Sequence, residues 1–335
     1  MPAGPNRNER EITQPVDLCL PNGRLNPAAV GWTRRPLHRA NLQGWGRNKR
    51  FEYWCVTSPE LVCAINVSHG DYRVTLATFF LDLKTMHTFS QAEIHWLPRE
   101  KVTPMPEQSG KGGVTGTGDR MRISMQAVDG GTLLKADTPR LTLEIMAHEE
   151  PGHESLGVVV PWDDKRFQYT RKDNCLRATG SIQADGKTYE LSNAYAALDH
   201  GRGRWPYSIV WNWAAGSGVS RGREIGLQFG GKWTEGTPST ENALRIDGRI
   251  EKIGQELEWV YDRRNFMAPW KIRGDRVDVT FTPVYNRQSN FDRLIVRSKE
   301  DQVFGWFDGT IVSEKGETVP VERIFGWAEE VSRRW

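Results

Sequence analysis

Only four cysteines, Cys19, Cys55, Cys63 and Cys175, occur in the 335 residues. None stands in a Cys-x-x-Cys pair or at zinc-ligand spacing, so no metal centre and no redox dithiol is signalled. Reduced, mostly buried thiols are expected. A charge excess of one sign is missing too: 45 Lys and Arg face 42 Asp and Glu, a formal net charge of +3. No global basic field therefore points to nucleic acid or to an anionic membrane. No run approaches the ~20 apolar residues that span a bilayer. The opening stretch, MPAGPNRNEREITQPVD, has no apolar core behind its charges. The expectation is a cytoplasmic protein with no nucleic-acid partner, no transmembrane segment and an oligomeric state that stays unread.

Familiar catalytic signatures are also absent. No G-x-S-x-G elbow occurs, and Ser, His and Asp are too dispersed for a triad. Gly110-Lys111 lacks the following Ser/Thr and helix of a phosphate loop. Its surroundings, TPMPEQSGKGGVTGTGD (103–119), read as a long mobile loop. In HEEPGHE the two histidines, His148 and His153, are five apart with Pro151-Gly152 between them, which forbids the helix a zinc motif needs. A solvated turn is expected there. His38, His69, His87 and His95 stand alone and read as structural.

What the chain has in abundance is tryptophan: 14 residues, in a sequence whose mean hydropathy is −0.60. An indole wants burial for its rings and a partner for its N–H, and both pocket walls and sheet interfaces supply these. Apolar residues alternate at period two in RLTLEIMA (Leu141, Leu143, Ile145), EIGLQF (Ile225, Leu227, Phe229) and RVDVTF (Val277, Val279, Phe281), as half-buried strands do. Asp129-Gly130, Asp185-Gly186, Asp247-Gly248, Gly274-Asp275 and Lys315-Gly316 punctuate such runs as hairpin turns, implying antiparallel pairing. Helical periodicity is confined to NPAAVGW and WAEEVSRRW. The fold is expected to be all-β, with few short helices. At this length it suits two similar halves, 1–155 and 156–335, divided near HEEPGHESLG. A weak echo, NKRFEYW (48–54) and DKRFQYT (164–170), fits two related halves.

The densest chemistry lies in LDHGRGRWPYSIVWNWAAGSG (198–218). As a strand, SIVWNWA puts Trp211 and Trp213 on one face and Val210 and Asn212 on the other. DHGRGRWP is glycine-rich, so a tight turn is expected that aims Asp199, His200, Arg202 and Arg204 at a common region. An Asp facing an apolar tryptophan cavity would be desolvated and become a proton donor; one facing an arginine would be a structural ion pair. Both readings stand. The candidate catalytic residues are Asp199, His200 and Arg202, and the candidate ligand-binding residues are Arg204, Trp205, Tyr207, Trp211, Asn212 and Trp213. No cofactor is indicated.

The runs LPNGRLNPAAVGWTRRPLHRANL, PWDDKRFQYTRKDNCLRATGSI, LDHGRGRWPYSIVWNWAAGSG, GLQFGGKWTEGTPSTENALRIDGRIEKI and QVFGWFDG resemble the bacterial family known as domain of unknown function 2804. A more distant resemblance is to the carotenoid hydratase and AttH-like group, through Asp199-His200-Gly201-Arg202-Gly203, with Arg202 where that group usually carries an aromatic. That likeness implies two lipocalin-like antiparallel barrels or sandwich halves, each with room for a small apolar ligand. Three functions stay open for an acid set among tryptophans in such a fold. One is a cofactor-independent hydratase, cyclase or isomerase acting on an isoprenoid or polyketide-like substrate, with Asp199 as the acid. Another is a non-catalytic carrier of a lipid or hydrophobic metabolite. The third is a structural protein whose tryptophans are all core.

Overall fold

The computed structural model describes Gly4 and residues 6–97, 101–293 and 296–334. Met1–Ala3 and Pro5 of the opening stretch, and Trp335 at the close, lie outside the described residues. The chain order begins β1 (Val16–Asp17), β2 (Trp32–Thr33), β3 (His38–Arg39), β4 (Asn48–Thr57), β5 (Leu61–Gly70), β6 (Arg73–Asp82), β7 (Thr88–Trp96) and β8 (Gly113–Thr117). It continues with β9 (Arg122–Val128), β10 (Gly131–Asp137), β11 (Leu141–His148), β12 (Leu156–Pro161), β13 (Phe167–Ala184), β14 (Lys187–Glu190), β15 (Ala194–Arg204) and β16 (Ser208–Ser220). The last strands are β17 (Arg223–Gly231), β18 (Asn242–Ile246), β19 (Arg249–Ile253), β20 (Glu258–Val260), β21 (Trp270–Gly274), β22 (Val277–Arg293), β23 (Val296–Val312) and β24 (Thr318–Arg334).

The all-β, lipocalin-like expectation holds. One sheet runs β7-β6-β5-β4-β15-β13-β11-β10-β9-β8, with β12, β14 and β2 joined to its side; the other runs β19-β18-β17-β16-β24-β23-β22-β21-β20. Each curls around its own core, the first around Ile65, Leu76, Ile123, Leu143 and Leu198, the second around Leu227, Phe229, Trp270, Val279 and Phe307. All five expected turns join neighbouring antiparallel strands. At Asp185-Gly186 and Asp247-Gly248 both residues take positive φ (46° and 82°, 48° and 85°), as a two-residue turn matching the strand twist requires. The change of sheet falls between Arg204 and Ser208; the break expected at 155/156 lies within the first sheet, between β11 and β12.

Several expectations are corrected. WAEEVSRRW belongs to β24, because its register on β16 and β23 satisfies the backbone of every described residue in it; NPAAVGW forms only a 3-10 turn at Pro27–Ala29. The segment 103–119 is not a free loop. Gly113–Thr117 pairs with β9, and the preceding residues pack on the first barrel through Ala40 N–H donating to Glu107 O (2.7 Å) and a buried Ser109. The echo motifs sit in one sheet, on either side of β15. His153 is no solvated turn residue: it is buried, 2.5 Å from Asp173 Oδ1 of the first sheet, and meets Arg245 of the second. Those partners lie 20 and 92 residues away, beyond local reading. The four cysteines are free and buried, and burial pushes Cys19 up to about 11 and Cys55 and Cys175 to about 12, so they are inert thiols.

Between the sheets lies a third apolar layer. Cys55, Ala64, Phe79 and Ala197 of the first sheet meet Trp213, Ala215, Phe304 and Trp327 of the second.

Candidate functional site

Register settles where DHGRGR points. Residues 194–204 are not a turn; they form a strand between β4 and β13, with Asp199 opposite Tyr53 and Lys172, and His200 opposite Glu52 and Arg171. Side chains alternate along a strand, so Asp199, Gly201 and Gly203 face the layer between the sheets, while His200, Arg202 and Arg204 face away from it. The glycines are there for close approach. A Cβ on Gly201 would lie 2.0 Å from Phe51 and 2.3 Å from Gln168, and one on Gly203 2.2 Å from the Phe167 carbonyl. Phe51 and Gln168 lie over the bare strand, which a residue-by-residue reading takes for a loop.

Asp199 meets a lysine. Lys172 Nζ is 2.8 Å from its Oδ2, and Thr170 Oγ1 donates to its Oδ1 at 3.2 Å. The same ammonium is 3.4 Å from Glu241 Oε2 and 4.0 Å above the Trp213 ring, a cation–π contact. Tryptophan N–H groups tie down the other acids: Trp211 Nε1 donates to Glu329 Oε1 (2.9 Å), and Trp233 Nε1 donates to Glu241 Oε1. Trp213 donates to Gln228 at 3.0 Å and Trp205 to Gln168 at 2.6 Å. The indoles pack edge to face, Trp205 on Trp211 at 5.7 Å and Trp213 on Trp327 at 5.1 Å.

These surroundings separate the carboxyls. Burial, reinforced by the charge of Glu300, pushes Glu329 up to about 8. Burial also lifts Glu241 to about 7 against the pull of Lys172. Two carboxylic acids able to hold a proton near neutrality thus border the Lys172–Asp199 pair. Phe51, Tyr53, Ser68, Ala77, Asp199 and Trp211, on the sheet faces that turn towards each other, keep partial exposure. Two surface concavities, of about 670 and 480 Å³, lie elsewhere and have no tryptophan in their linings.

The other expected residues do different work. Arg202 pairs with Glu52 at 2.9 Å and donates to the Phe51 carbonyl. His200 is fully buried beside it, with neither ring nitrogen in a hydrogen bond and Nδ1 3.5 Å from Glu52. Burial, then the Arg202 charge, pushes His200 down to about 4. Glu52 stays down at about 2, because the facing His200 and Arg202 outweigh its burial. Arg204 clamps the N-terminal segment through Asn48, Gly23 and Gln43. Asn212 points into the second barrel, donating to Tyr261 Oη and the Glu329 carbonyl at 3.0 Å each. Tyr207 is 46% exposed. Structure thus gathers Asp199, Trp205, Trp211 and Trp213 and disperses the rest.

Lys172, Glu241 and Glu329 escaped the sequence reading. Glu329 had a signal, an ionisable residue in step with Trp327 and Val331 in WAEEV; Lys172, in a strand buried on both faces, and Glu241, outside any strand before β18, had none. Among the described residues no group of three or more His, Cys, Asp and Glu has the arrangement of a metal site.

The model of the family described as domain of unknown function (DUF2804) matches residues 9–335. The chain belongs to the DUF2804 family. No curated protein matches it in sequence. Among solved structures, the DUF2804 chain is similar in fold to kievitone hydratase from Nectria haematococca, with a TM-score of 0.52 and 9% identity over 86% of this chain and 89% of that one. It is also similar to an AttH-like protein from Nitrosomonas europaea, with a TM-score of 0.52 and 12% identity over 85% and 92%. A third likeness is to CghA solved with Sch210972, with a TM-score of 0.52 and 14% identity over 86% and 88%. At such identities the likeness is one of fold. Among the described residues no helix is long and apolar enough to cross a membrane.

Proposed function

We propose that this DUF2804 protein binds an apolar small molecule in the layer between its sheets and moves a proton on it, as a hydratase, dehydratase or cyclase does. One observation carries the reading: Glu329, a buried acid pushed up to about 8, is held by Trp211 next to the Lys172–Asp199 pair. A fold shared with a protein named a hydratase supports it.

In a hydration step the Glu329 carboxyl gives its proton to one carbon of a double bond, forming a C–H bond and leaving a cation on the other carbon. Trp211 and Trp213 face that cation with their rings. Water then forms the new C–O bond and loses its proton to Asp199, and exchange through Lys172 and solvent restores both acids. The donor role expected of Asp199 passes to Glu329, because Asp199 is engaged by Lys172. Arg202 and Arg204, on the opposite face of β15, steer nothing in this layer. They hold the first barrel and its N-terminal cover.

A carrier without chemistry is the second reading, favoured by the partial exposure of Phe51, Ser68 and Ala77, which leaves room without invoking an acid. Native mass spectrometry of protein purified from its own host, followed by incubation of the released compound with wild type and Glu329→Gln, decides between them. Conversion by wild type and none by the variant supports proton transfer. An intact compound released unchanged from both supports carriage. Absence of any bound or convertible compound leaves the tryptophans as core.

A further inference from the structure

One end of the first sheet carries an apolar cluster that no strand among the described residues covers. Trp45 is 72% exposed, Tyr72 39%, Ile94 48%, Trp96 63% and Leu97 73%. They come from three segments but form one patch. Trp45 meets Tyr72 edge to face at 6.2 Å, Leu97 N–H donates to the Tyr72 carbonyl at 2.8 Å, and Trp96 lies opposite Arg73 in the sheet. Burying such side chains in a core was open to the fold and was not used; five large apolar groups at one rim mark an interaction surface.

The composition of the rim says what it fits. Trp and Tyr, with an apolar body and a polar handle, are the residues that settle at the boundary between lipid headgroups and acyl chains. Cations accompany them: Arg47 is exposed, and the Arg73 guanidinium stands over the Trp96 ring at 5.9 Å. Among the described residues two acids of this end are engaged: Asp71 accepts from the Gly46 and Asn48 amides at 2.5 and 2.9 Å and faces Arg50, and Glu93 accepts from the Asp119 and Arg120 amides at 2.7 and 2.9 Å. Among its described residues the rim thus presents cations without a free acid, although the whole chain is nearly neutral.

Its position adds a second argument. Ile94 and Trp96 share a face of β7 with Ala92, which lies opposite Ala77 on β6; Ala77 in turn lies opposite Asn66, which faces Tyr53. That is the face of the sheet that carries Asp199. The rim therefore shares one face of the sheet with Asp199.

We propose that this rim docks on the surface of a lipid bilayer containing anionic lipid, with Trp45, Tyr72, Trp96 and Leu97 in the headgroup region and Arg47 and Arg73 against the phosphates. Joined to the proposed function, this makes the bilayer the source of the apolar substrate, and that link alone rests on the earlier reading. Docking itself does not. Sedimentation with sucrose-loaded vesicles of phosphatidylcholine alone, and of phosphatidylcholine with phosphatidylglycerol, tests it.

Wild type is expected to sediment with the mixed vesicles and far less with the neutral ones. Trp45→Ala/Trp96→Ala is expected to lose about tenfold or more in partitioning, from the apolar area withdrawn, and Arg47→Glu at least about fivefold, with the loss shrinking in high salt. Circular dichroism and melting of the variants confirm that the fold is kept, since the replaced side chains are exposed. Wild type that sediments with neither vesicle overturns the proposal. So does a concentration-dependent dimer in sedimentation velocity that Trp45→Ala/Trp96→Ala abolishes without any vesicle binding, which assigns the rim to a second copy of the chain. Glu329→Gln is expected to bind vesicles like wild type, so a failure of the proposed chemistry and a failure of docking are read separately.

Discussion

Lys172 Nζ lies 2.8 Å from Asp199 Oδ2 and 3.4 Å from Glu241 Oε2, above the Trp213 ring. One buried cation thus serves two carboxyls from different sheets, and the layer is organised around it. Removing Asp199 leaves Lys172 with the more distant partner only. Asp199→Asn is expected to lower stability by about 3 kcal/mol, the range for breaking a buried pair. The double variant Lys172→Met/Asp199→Asn recovers part of that loss. Urea unfolding of the four proteins in the cycle checks both statements, and equal stability of wild type and Asp199→Asn contradicts them.

Glycine at 201 is required by what lies over it. Gly201→Ala brings a Cβ to 2.0 Å from Phe51 and 2.3 Å from Gln168, which is expected to cost about 1–3 kcal/mol through overpacking. Adding Phe51→Ala relieves the clash, so the double variant should lie above the sum of the two single changes in denaturant midpoints.

Two buried histidines govern the acid limb. Burial pushes His38 to about 4, its Nε2 2.9 Å from the Ala29 carbonyl, and His200 to about 4. Their folded values lie below the unfolded value near 6.5, so the unfolded chain binds more protons between the two. Stability from each is fully present above pH 6.5 and is lost as pH falls towards 4, by about 1.4 kcal/mol per pH unit. His200→Gln is expected to flatten the stability profile in that window relative to wild type. An unchanged slope contradicts the assignment.

Glu329 works in the opposite sense. Its folded value, about 8, lies above the usual 4.5, so the folded chain holds the extra proton. That contribution is complete below pH 4.5 and is lost as pH rises through 8. Glu329→Gln is expected to match wild type near pH 4.5 and to gain on it by about 1.4 kcal/mol per pH unit as pH rises towards 8. Between pH 4.5 and 6.5 the histidine and glutamate slopes offset each other in wild type, so differences between variant and wild type carry the test.

The barrel architecture was legible because period-two alternation and Asp-Gly turns are local. Leu141, Leu143 and Ile145 point inward as their spacing says, and Trp211 and Trp213 share the face expected. The site was legible only in part. Asp199 was found, but its partner Lys172 comes from β13 and the second carboxyl on that lysine, Glu241, from the approach to β18, and no local rule reports such a meeting. The glycines of DHGRGRWP predict a turn that aims Arg202 and Arg204 at the region of Asp199. Here they mean that Phe51 and Gln168 press on a strand. WAEEVSRRW had the composition of a helix, and tertiary pairing with β16 and β23 overrode it.

Saturable binding of a neutral apolar fluorophore, 1-aminoanthracene, tests most directly whether the layer is a ligand site. It is read by its own emission in wild type and in Ser68→Phe, which fills the layer beside Phe51. One-to-one binding by wild type, displaced by the compound released from the native protein and abolished in a folded Ser68→Phe, is the predicted result. Absence of saturable binding to wild type, or equal binding to both proteins, contradicts it.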